Sequence, residues 1–193
     1  MGQSNVIPLS PSEMADLIRT TGFHKSQIKR LYNRFASLDR EGKGYLDRDD
    51  LLRVPELSLN PLGDRIVAAF FNDLADTEKM SFSDFITVLS QFRPVRPGMT
   101  TSLNDRTHKL KFAFAMYDLN KNGYITRLEF RLILQLMIGQ EDKVTREEMD
   151  GITDLILHEA DMKKDGQLSF EEFCQAMQKV DIENLMAIQF SRR

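Results

Sequence analysis

Apolar residues recur at helical spacing along most of the chain, and polar segments that begin with aspartate interrupt them. Leu110 and Phe114 are four residues apart and fall on one face of a predicted helix. The polar segment 118–129 follows, and Phe130 and Ile133 then begin a second amphipathic pattern. The sequence therefore predicts a helix, a loop and a second helix here.

The same helix–loop–helix pattern occurs four times, which indicates an internal repeat. Each loop spans twelve residues, and we number them loops 1 to 4; they begin at Asp39, Asp73, Asp118 and Asp161. Each loop carries an apolar residue at its eighth position, namely Leu46, Met80, Ile125 and Leu168. Four equivalent units predict an all-α fold.

Two prolines and a glycine separate the second unit from the third, within residues 93–107. Such residues break helices, so this stretch is predicted to be a linker. The expected architecture is two lobes of paired units, an N-terminal lobe at 21–92 and a C-terminal lobe at 108–180. Residues 1–20 are expected to form an N-terminal segment, and 181–193 a C-terminal tail.

Loop 3 reads DLNKNGYITRLE and places oxygen donors at the spacing that calcium requires. Calcium takes about six to eight oxygens, which such a loop supplies from positions 1, 3, 5, 7, 9 and 12, with glycine at position 6 for the turn. The predicted ligands are Asp118, Asn120, Asn122, the main-chain carbonyl of Tyr124, and Glu129, with Thr126 acting through water and Gly123 at the turn. This is the EF-hand pattern; the alternative is a polar turn without a metal.

Loops 1 and 2 depart from this pattern. Lys43 replaces the ligand at position 5 of loop 1, and Asp50 at position 12 is one methylene shorter than the usual glutamate. Loop 2 has Ala75 at position 3 and Glu78 where the turn glycine belongs. Both loops are predicted to be structural rather than metal-binding.

Loop 4 keeps Asp161, Asp165, the carbonyl of Gln167, and Glu172, but it has Lys163 at position 3. An ammonium at that position repels a divalent cation, although a long lysine side chain can turn out to water. Three carboxylates remain to attract the ion. The two effects oppose each other, and the sequence leaves calcium binding by loop 4 open.

An EF-hand lobe that opens presents an apolar groove, and such grooves hold amphipathic helices. The candidate groove residues are Phe114, Ile133, Met137, Ile156, Phe173 and Met177. The sequence does not separate groove positions from core positions. The C-terminal segment, with Leu185, Met186, Ile188 and Phe190, could cap the groove or compete for it, but packing on its own lobe is the favoured expectation.

Composition narrows the function classes. A net charge of −3 gives no basic field for nucleic acid. The single cysteine, Cys174, precludes an internal disulfide and favours a reducing compartment. No apolar run reaches the roughly 18 residues of a membrane span. No phosphate-binding loop, zinc-protease motif or nucleophile elbow is found, so an enzyme is not expected.

Several stretches resemble the calcineurin B group of EF-hand proteins, and within it the calcineurin B homologous proteins. They are TGFHKSQIKRLYNRFASLD, PELSLNPLGDRI, QFRP, LNDRTHKLKFAFAMYDL and KVDIENLMAIQF. The two altered loops of the N-terminal lobe favour the homologous proteins, whereas SFEEFC is closer to calcineurin B itself. The choice between the two stays open.

The resemblance implies a calcium-binding regulatory subunit. Calcineurin B homologous proteins clamp an amphipathic juxtamembrane helix of plasma-membrane Na+/H+ exchangers and support the exchanger's stability, trafficking and pH-dependent activity. The alternative is the calcineurin B-type regulatory subunit of a calcium-dependent Ser/Thr phosphatase. Both would use the same groove for different helices.

The resemblance also implies N-myristoylation at Gly2, although Val6 stands where the motif usually has Ser or Thr. A plain N-terminal segment is the alternative. One acyl chain gives only marginal membrane attachment, so any membrane location would come mainly from a partner. The expected location is cytoplasmic and peripheral at the plasma membrane, with endomembranes and the nucleus left open.

Overall fold

The computed structural model describes residues 9–94, 103–138 and 144–187. These residues form eleven helices and one two-stranded sheet, which confirms the all-α EF-hand prediction. The first six helices are α1 (Pro11–Thr21), α2 (Lys25–Leu38), α3 (Arg48–Leu52), α4 (Pro55–Ser58), α5 (Gly63–Phe70) and α6 (Phe82–Ser90). The remaining elements are α7 (Arg106–Tyr117), β1 (Tyr124–Thr126), α8 (Arg127–Ile138), α9 (Arg146–Ala160), β2 (Gln167–Ser169), α10 (Phe170–Ala176) and α11 (Ile182–Leu185). None of the described helices is long and apolar enough to cross a bilayer.

The residues at the eighth positions of the loops bond to each other and so join the four repeats into two pairs. Strands β1 and β2 are antiparallel, with Ile125 opposite Leu168. In the N-terminal half, Leu46 and Met80 exchange two main-chain hydrogen bonds of 2.9 and 2.8 Å. All four side chains are buried. The pairing joins loop 1 to loop 2 and loop 3 to loop 4, and so positions the loops within each half.

Part of the expected N-terminal segment belongs to the fold. Residues 11–21 form α1, which begins at a Ser10 cap with a reciprocal hydrogen bond from Glu13. Met14 and Leu17 are buried in the same apolar cluster as α2 and α6. The helix forms because its apolar residues fall on one face and pack against α6. In the sequence, the neighbouring polar residues had hidden this amphipathic pattern.

Helix α7 packs against both halves of the protein, so the lobes are not independent units on a linker. The Phe112 ring contacts Phe70 and Phe92 of the N-terminal half, with ring centroids 5.4 and 4.9 Å apart. Phe114, on another face of α7, contacts Phe170 and Phe173 of the C-terminal half, each at 5.5 Å. One helix therefore contributes to two cores.

A buried lysine and a half-buried arginine link the halves at the carbonyl ends of helices. Lys109 of α7 is fully buried, and its ammonium donates to the carbonyl oxygens of Gln91 (2.6 Å) and Arg93 (3.3 Å) after α6. Burial lowers the pKa of Lys109. In the other direction, Arg65 of α5 donates from Nε to the carbonyl of Met116 at 3.0 Å, near the end of α7. Cations at helix carbonyl ends are stabilising, and these two fix α7 against the N-terminal half.

Replacing the α7 ring that packs on the N-terminal half is expected to destabilise the protein. Phe112→Ala should lower the free energy of unfolding by about 3–5 kcal/mol, because it removes a buried ring and leaves a cavity. Urea unfolding followed by circular dichroism measures the change, with Lys111→Ala at the exposed neighbouring position as the control. A loss below about 1 kcal/mol would contradict the packing of α7 on the N-terminal half.

Candidate metal centres

The first half of loop 3 is folded around the Asp118 carboxylate. Its Oδ1 accepts from the main-chain N–H of Asn122 at 3.1 Å, and its Oδ2 from that of Gly123 at 2.9 Å. Gly123 has a φ of +85°, which a side chain would strain. These bonds wrap the main chain of the loop around one carboxylate.

Glu129 closes the loop from its other end. Its side chain is buried and accepts main-chain hydrogen bonds from Leu119 (3.0 Å), Asn120 (3.1 Å) and Thr126 (2.9 Å). The Thr126 hydroxyl donates a further bond of 2.7 Å. Burial raises the pKa of Glu129, but these hydrogen bonds outweigh burial and bring the pKa below its usual value. The carboxylate is therefore held charged beside Asp118.

The donor set of loop 3 fits calcium. Two carboxylates, the side-chain amides of Asn120 and Asn122, and the Tyr124 carbonyl are all oxygen donors, which calcium prefers. Asp118 follows the last turn of α7, whereas Glu129 lies in the first turn of α8. Calcium bound here would supply the positive charge that these oxygens share. Within the described ranges, no three His, Cys, Asp or Glu side chains converge as a metal site, so loop 3 depends on its amide and carbonyl oxygens.

Loop 4 has the same hydrogen-bond frame. Asp161 accepts from the main-chain N–H of Gly166 at 2.8 Å, and Glu172 from that of Ser169 at 3.0 Å. The Ser169 hydroxyl bond and this main-chain bond lower the pKa of Glu172 to about 2. The carboxylates of Asp161, Asp165 and Glu172 are not gathered at one point in the structure, so calcium binding would have to draw them together.

Lys163 does not enter the interior of loop 4. Its side chain is exposed and takes no part in the ion pairs formed by the described residues. Its main-chain N–H instead donates to Glu172 at 3.1 Å. The structure thus places the lysine as the sequence favoured, turned to water, and loop 4 lacks one ligand without holding a cation of its own.

The two N-terminal loops differ from each other. In loop 1, Asp39 accepts from the main-chain N–H groups of Lys43 (2.8 Å) and Gly44 (2.7 Å), as Asp118 does in loop 3. In loop 2, the turn is organised by Asp76, which accepts from the N–H groups of Glu78 and Lys79. Loop 1 keeps the calcium-loop frame, whereas loop 2 has lost it.

The structure divides the six candidate groove residues. Phe114, Ile133 and Phe173 are buried in the C-terminal half, so they are core positions in this structure, and their place in an opened groove stays a prediction. The side chains of Phe114 and Phe173 pack in the apolar cluster that holds α7, α8 and α10 together. Met177 is half-buried against the same core. Met137 and Ile156 are exposed and remain candidates.

An exposed apolar face runs along α8 and α9. We call it the α8–α9 face, and its large exposed side chains are Leu128, Leu132, Leu136, Met137, Ile138, Ile152, Leu155 and Ile156. Ion pairs of Arg127 with Asp154 and of Arg131 with Asp150 join the two helices. The predicted groove did not include the three exposed leucines of α8, Leu128, Leu132 and Leu136, although their spacing of four residues indicates one helical face.

The tail residues lie partly within the described structure. Ile182 of α11 is buried in the C-terminal core, as expected of a tail that packs on its own lobe, whereas Leu185 is exposed. Ile188, Phe190 and Gly2 lie outside the described residues.

Comparisons with known proteins agree with this geometry. Residues 107–178, which contain loops 3 and 4, match the EF-hand domain pair family. A calcineurin B of Naegleria gruberi is 35% identical over 96% of this chain and 98% of its own length. A calcineurin B of Candida glabrata is 35% identical over 94% of this chain and 98% of its own. The type 2 calcineurin B of Dictyostelium discoideum is 34% identical over 95% and 94%.

The protein is thus a calcium-binding protein of the EF-hand class. Within that class, the chain belongs to the calcineurin B family, because these relatives exceed 30% identity over nearly its whole length. This confirms the predicted group and calcium as the cofactor. The relatives carry the name of calcineurin B, so they favour the phosphatase alternative over the exchanger prediction.

Removing the charge that closes loop 3 is expected to abolish its calcium binding. Glu129→Gln should weaken that site at least about 100-fold, equivalent to about 2.7 kcal/mol, because it removes a charged ligand with two oxygens. Calorimetric calcium titration of the full chain measures the number of sites and their affinities. Glu147→Gln, at an exposed position of α9 outside every loop, is the control. Unchanged calcium binding by Glu129→Gln would remove loop 3 as the site.

Proposed function

We propose that this protein is a non-catalytic regulatory subunit that binds calcium and holds an amphipathic helix of a Ser/Thr phosphatase catalytic subunit. The near full-length similarity to calcineurin B proteins supports the partner class. The observation that carries the proposal is the α8–α9 face. Many large apolar side chains exposed on two packed helices support a binding site there, because exposed apolar surface is costly in a free soluble protein.

The shape and chemistry of the α8–α9 face suit a helix as the ligand. Two adjacent helices present aliphatic and methionine side chains, which adapt to the apolar stripe of a partner helix. Leu128 and Leu155 are each 61% exposed, so they offer much apolar area that a partner would cover. Glu147 and Glu148 lie nearby in the first turn of α9 and supply a polar rim.

Loop 3 can transmit calcium binding to this face. Asp118 follows α7, and Glu129 lies one residue after Leu128 in α8. An ion held by both carboxylates would fix the angle between α7 and α8. Since α7 is anchored in both cores, that angle sets where the leucines of α8 point relative to the rest of the protein.

The second candidate ligand is the juxtamembrane helix of a Na+/H+ exchanger, which rests on the sequence resemblance. The QFRP segment, residues 91–94, carries part of that resemblance. Its Arg93 side chain makes two contacts within the N-terminal half. Its guanidinium donates to the Thr21 carbonyl at 2.8 Å and lies over the Phe23 ring. The exchanger helix would occupy the same α8–α9 face, so the two candidate helices should compete.

Lipidation at Gly2 and a peripheral location at the plasma membrane stay predictions. Both concern residues or partners beyond the described structure. The mass of the mature N-terminal peptide from a eukaryotic host decides the first, since a myristoyl group adds a fixed mass to Gly2.

Charges introduced into the α8–α9 face should block helix binding. The double variant Leu128→Asp/Leu155→Asp is expected to weaken binding of a peptide from the phosphatase catalytic subunit at least about 30-fold, equivalent to about 2 kcal/mol. Calorimetry on the calcium-loaded full chain measures the affinity. Leu59→Asp is the matched control, because Leu59 is 83% exposed and lies after α4, away from this face.

A competition experiment separates the two partners. The exchanger peptide is titrated against the phosphatase peptide on the same protein. Tighter binding of the phosphatase helix supports the proposal, and tighter binding of the exchanger helix overturns it. Equal weakening by Leu59→Asp and by the double variant would show that the α8–α9 face is not the site.

A further inference from the structure

Lys43 stands at a ligand position of loop 1, and its side chain points into the loop. Its ammonium lies 2.8 Å from Oδ2 of Asp50, at position 12, and also forms an ion pair with Asp47, at position 9. The Lys43 side chain is 17% exposed, and that of Asp50 only 1%. The hydrogen bonds to Asp47 and then to Asp50 raise the pKa of Lys43. The ammonium is therefore held charged among the loop's own carboxylates.

The frame around Lys43 is that of a calcium loop. Asp39 accepts from the main-chain N–H groups at positions 5 and 6, and Gly44 has a φ of +80°. The position-12 carboxylate of Asp50 accepts from the N–H of Asp47 at 3.1 Å, as Glu129 does from Thr126 at 2.9 Å. Loops 1 and 3 thus share the glycine turn at position 6 and the closing carboxylate at position 12. They differ at the ligand position before the turn, where loop 1 has Lys43.

We propose that the Lys43 ammonium takes the place of the metal ion in loop 1. A monovalent cation attached to the chain neutralises the carboxylates at positions 9 and 12, and Arg53 adds a second cation at 2.9 Å from Asp50. Loop 1 therefore keeps the geometry of an occupied loop without calcium. Through the Leu46–Met80 pairing it supports loop 2, which has no calcium-loop frame of its own.

Lys163 of loop 4 shows that a lysine at a ligand position does not by itself produce this arrangement. Lys163 is at position 3 and is exposed, whereas Lys43 is at position 5 and is largely buried. Loop 4 has a full-length glutamate, Glu172, to close it, but loop 1 has the shorter Asp50. The shorter carboxylate leaves space inside loop 1, and the lysine stem brings a cation to it.

The first test removes the ammonium and keeps the side-chain length. Lys43→Met should lower the melting temperature of the calcium-free protein by roughly 5 to 10 °C, because it leaves the buried Asp50 with one cation fewer. Lys29→Met makes the same change at an exposed position of α2 and is the control. Equal melting temperatures for the two variants would overturn the proposal.

The second test exchanges the attached cation for a free one. The double variant Lys43→Asn/Asp50→Glu restores an oxygen ligand at position 5 and the two-oxygen glutamate at position 12. Calorimetric titration should show one more calcium site than in the wild-type chain. Calcium should also raise the melting temperature of the double variant more than that of Lys29→Met.

The two tests together leave a decisive outcome even if one variant folds poorly. If Lys43→Met does not fold, folding of the double variant only in calcium supports the proposal, and its failure to fold in calcium overturns it. Calcium binding by loop 1 of the wild-type chain, lost on Asp39→Asn, would overturn it as well. None of these readouts depends on a partner helix, so they stand apart from the proposed function.

Discussion

The oxygens of an EF-hand loop face one another, and a cation must compensate their repulsion. The four loops of this chain meet that constraint in different ways. Loop 3 gathers neutral amide oxygens beside two carboxylates, which suits a divalent ion. In loop 1, the ammonium of Lys43 lies against Asp50 at 2.8 Å. Loop 2 lacks the hydrogen-bond frame of a calcium loop, since Asp76 rather than Asp73 organises its turn. The electrostatics of the loops therefore divide the protein into a half with its own cation and a half that takes calcium.

Helix α7 determines how these two halves act on each other. Arg65 of the N-terminal half binds the carbonyls of Ala115 and Met116, just before loop 3 begins. Burial lowers the pKa of Arg65, and the charges of Asp118 and Glu129 oppose that effect. Arg65 is thus an electrostatic neighbour of the loop 3 carboxylates from across the boundary. At its other end, α7 carries Arg106, which donates to the Met177 carbonyl after α10 at 2.6 Å.

The sequence predicted the repeat well, because the repeat follows from local spacing. The eighth positions pair as expected of paired units, and the EF-hand family and calcium are confirmed. It could not separate groove from core: Phe114, Ile133 and Leu132 all fit a helical apolar pattern, and only tertiary packing decides which are buried. Nor could it predict that Lys43 turns inward, because the expectation that a long lysine side chain turns to water holds only for Lys163. That choice depends on the space left by the position-12 side chain and on the partners around it.

The difference in charge between loop 1 and loop 3 determines how calcium can act on the protein. If loop 1 contains its own cation, as proposed, the surface that the N-terminal half presents to α7 would not depend on calcium. Calcium at loop 3 would then act mainly on the position of α8 relative to α7. Since Leu128 immediately precedes Glu129, the α8–α9 face moves with the ligand itself. The calcium site of loop 3 alone would be enough to position that face, provided that the N-terminal half keeps its structure when the ion binds.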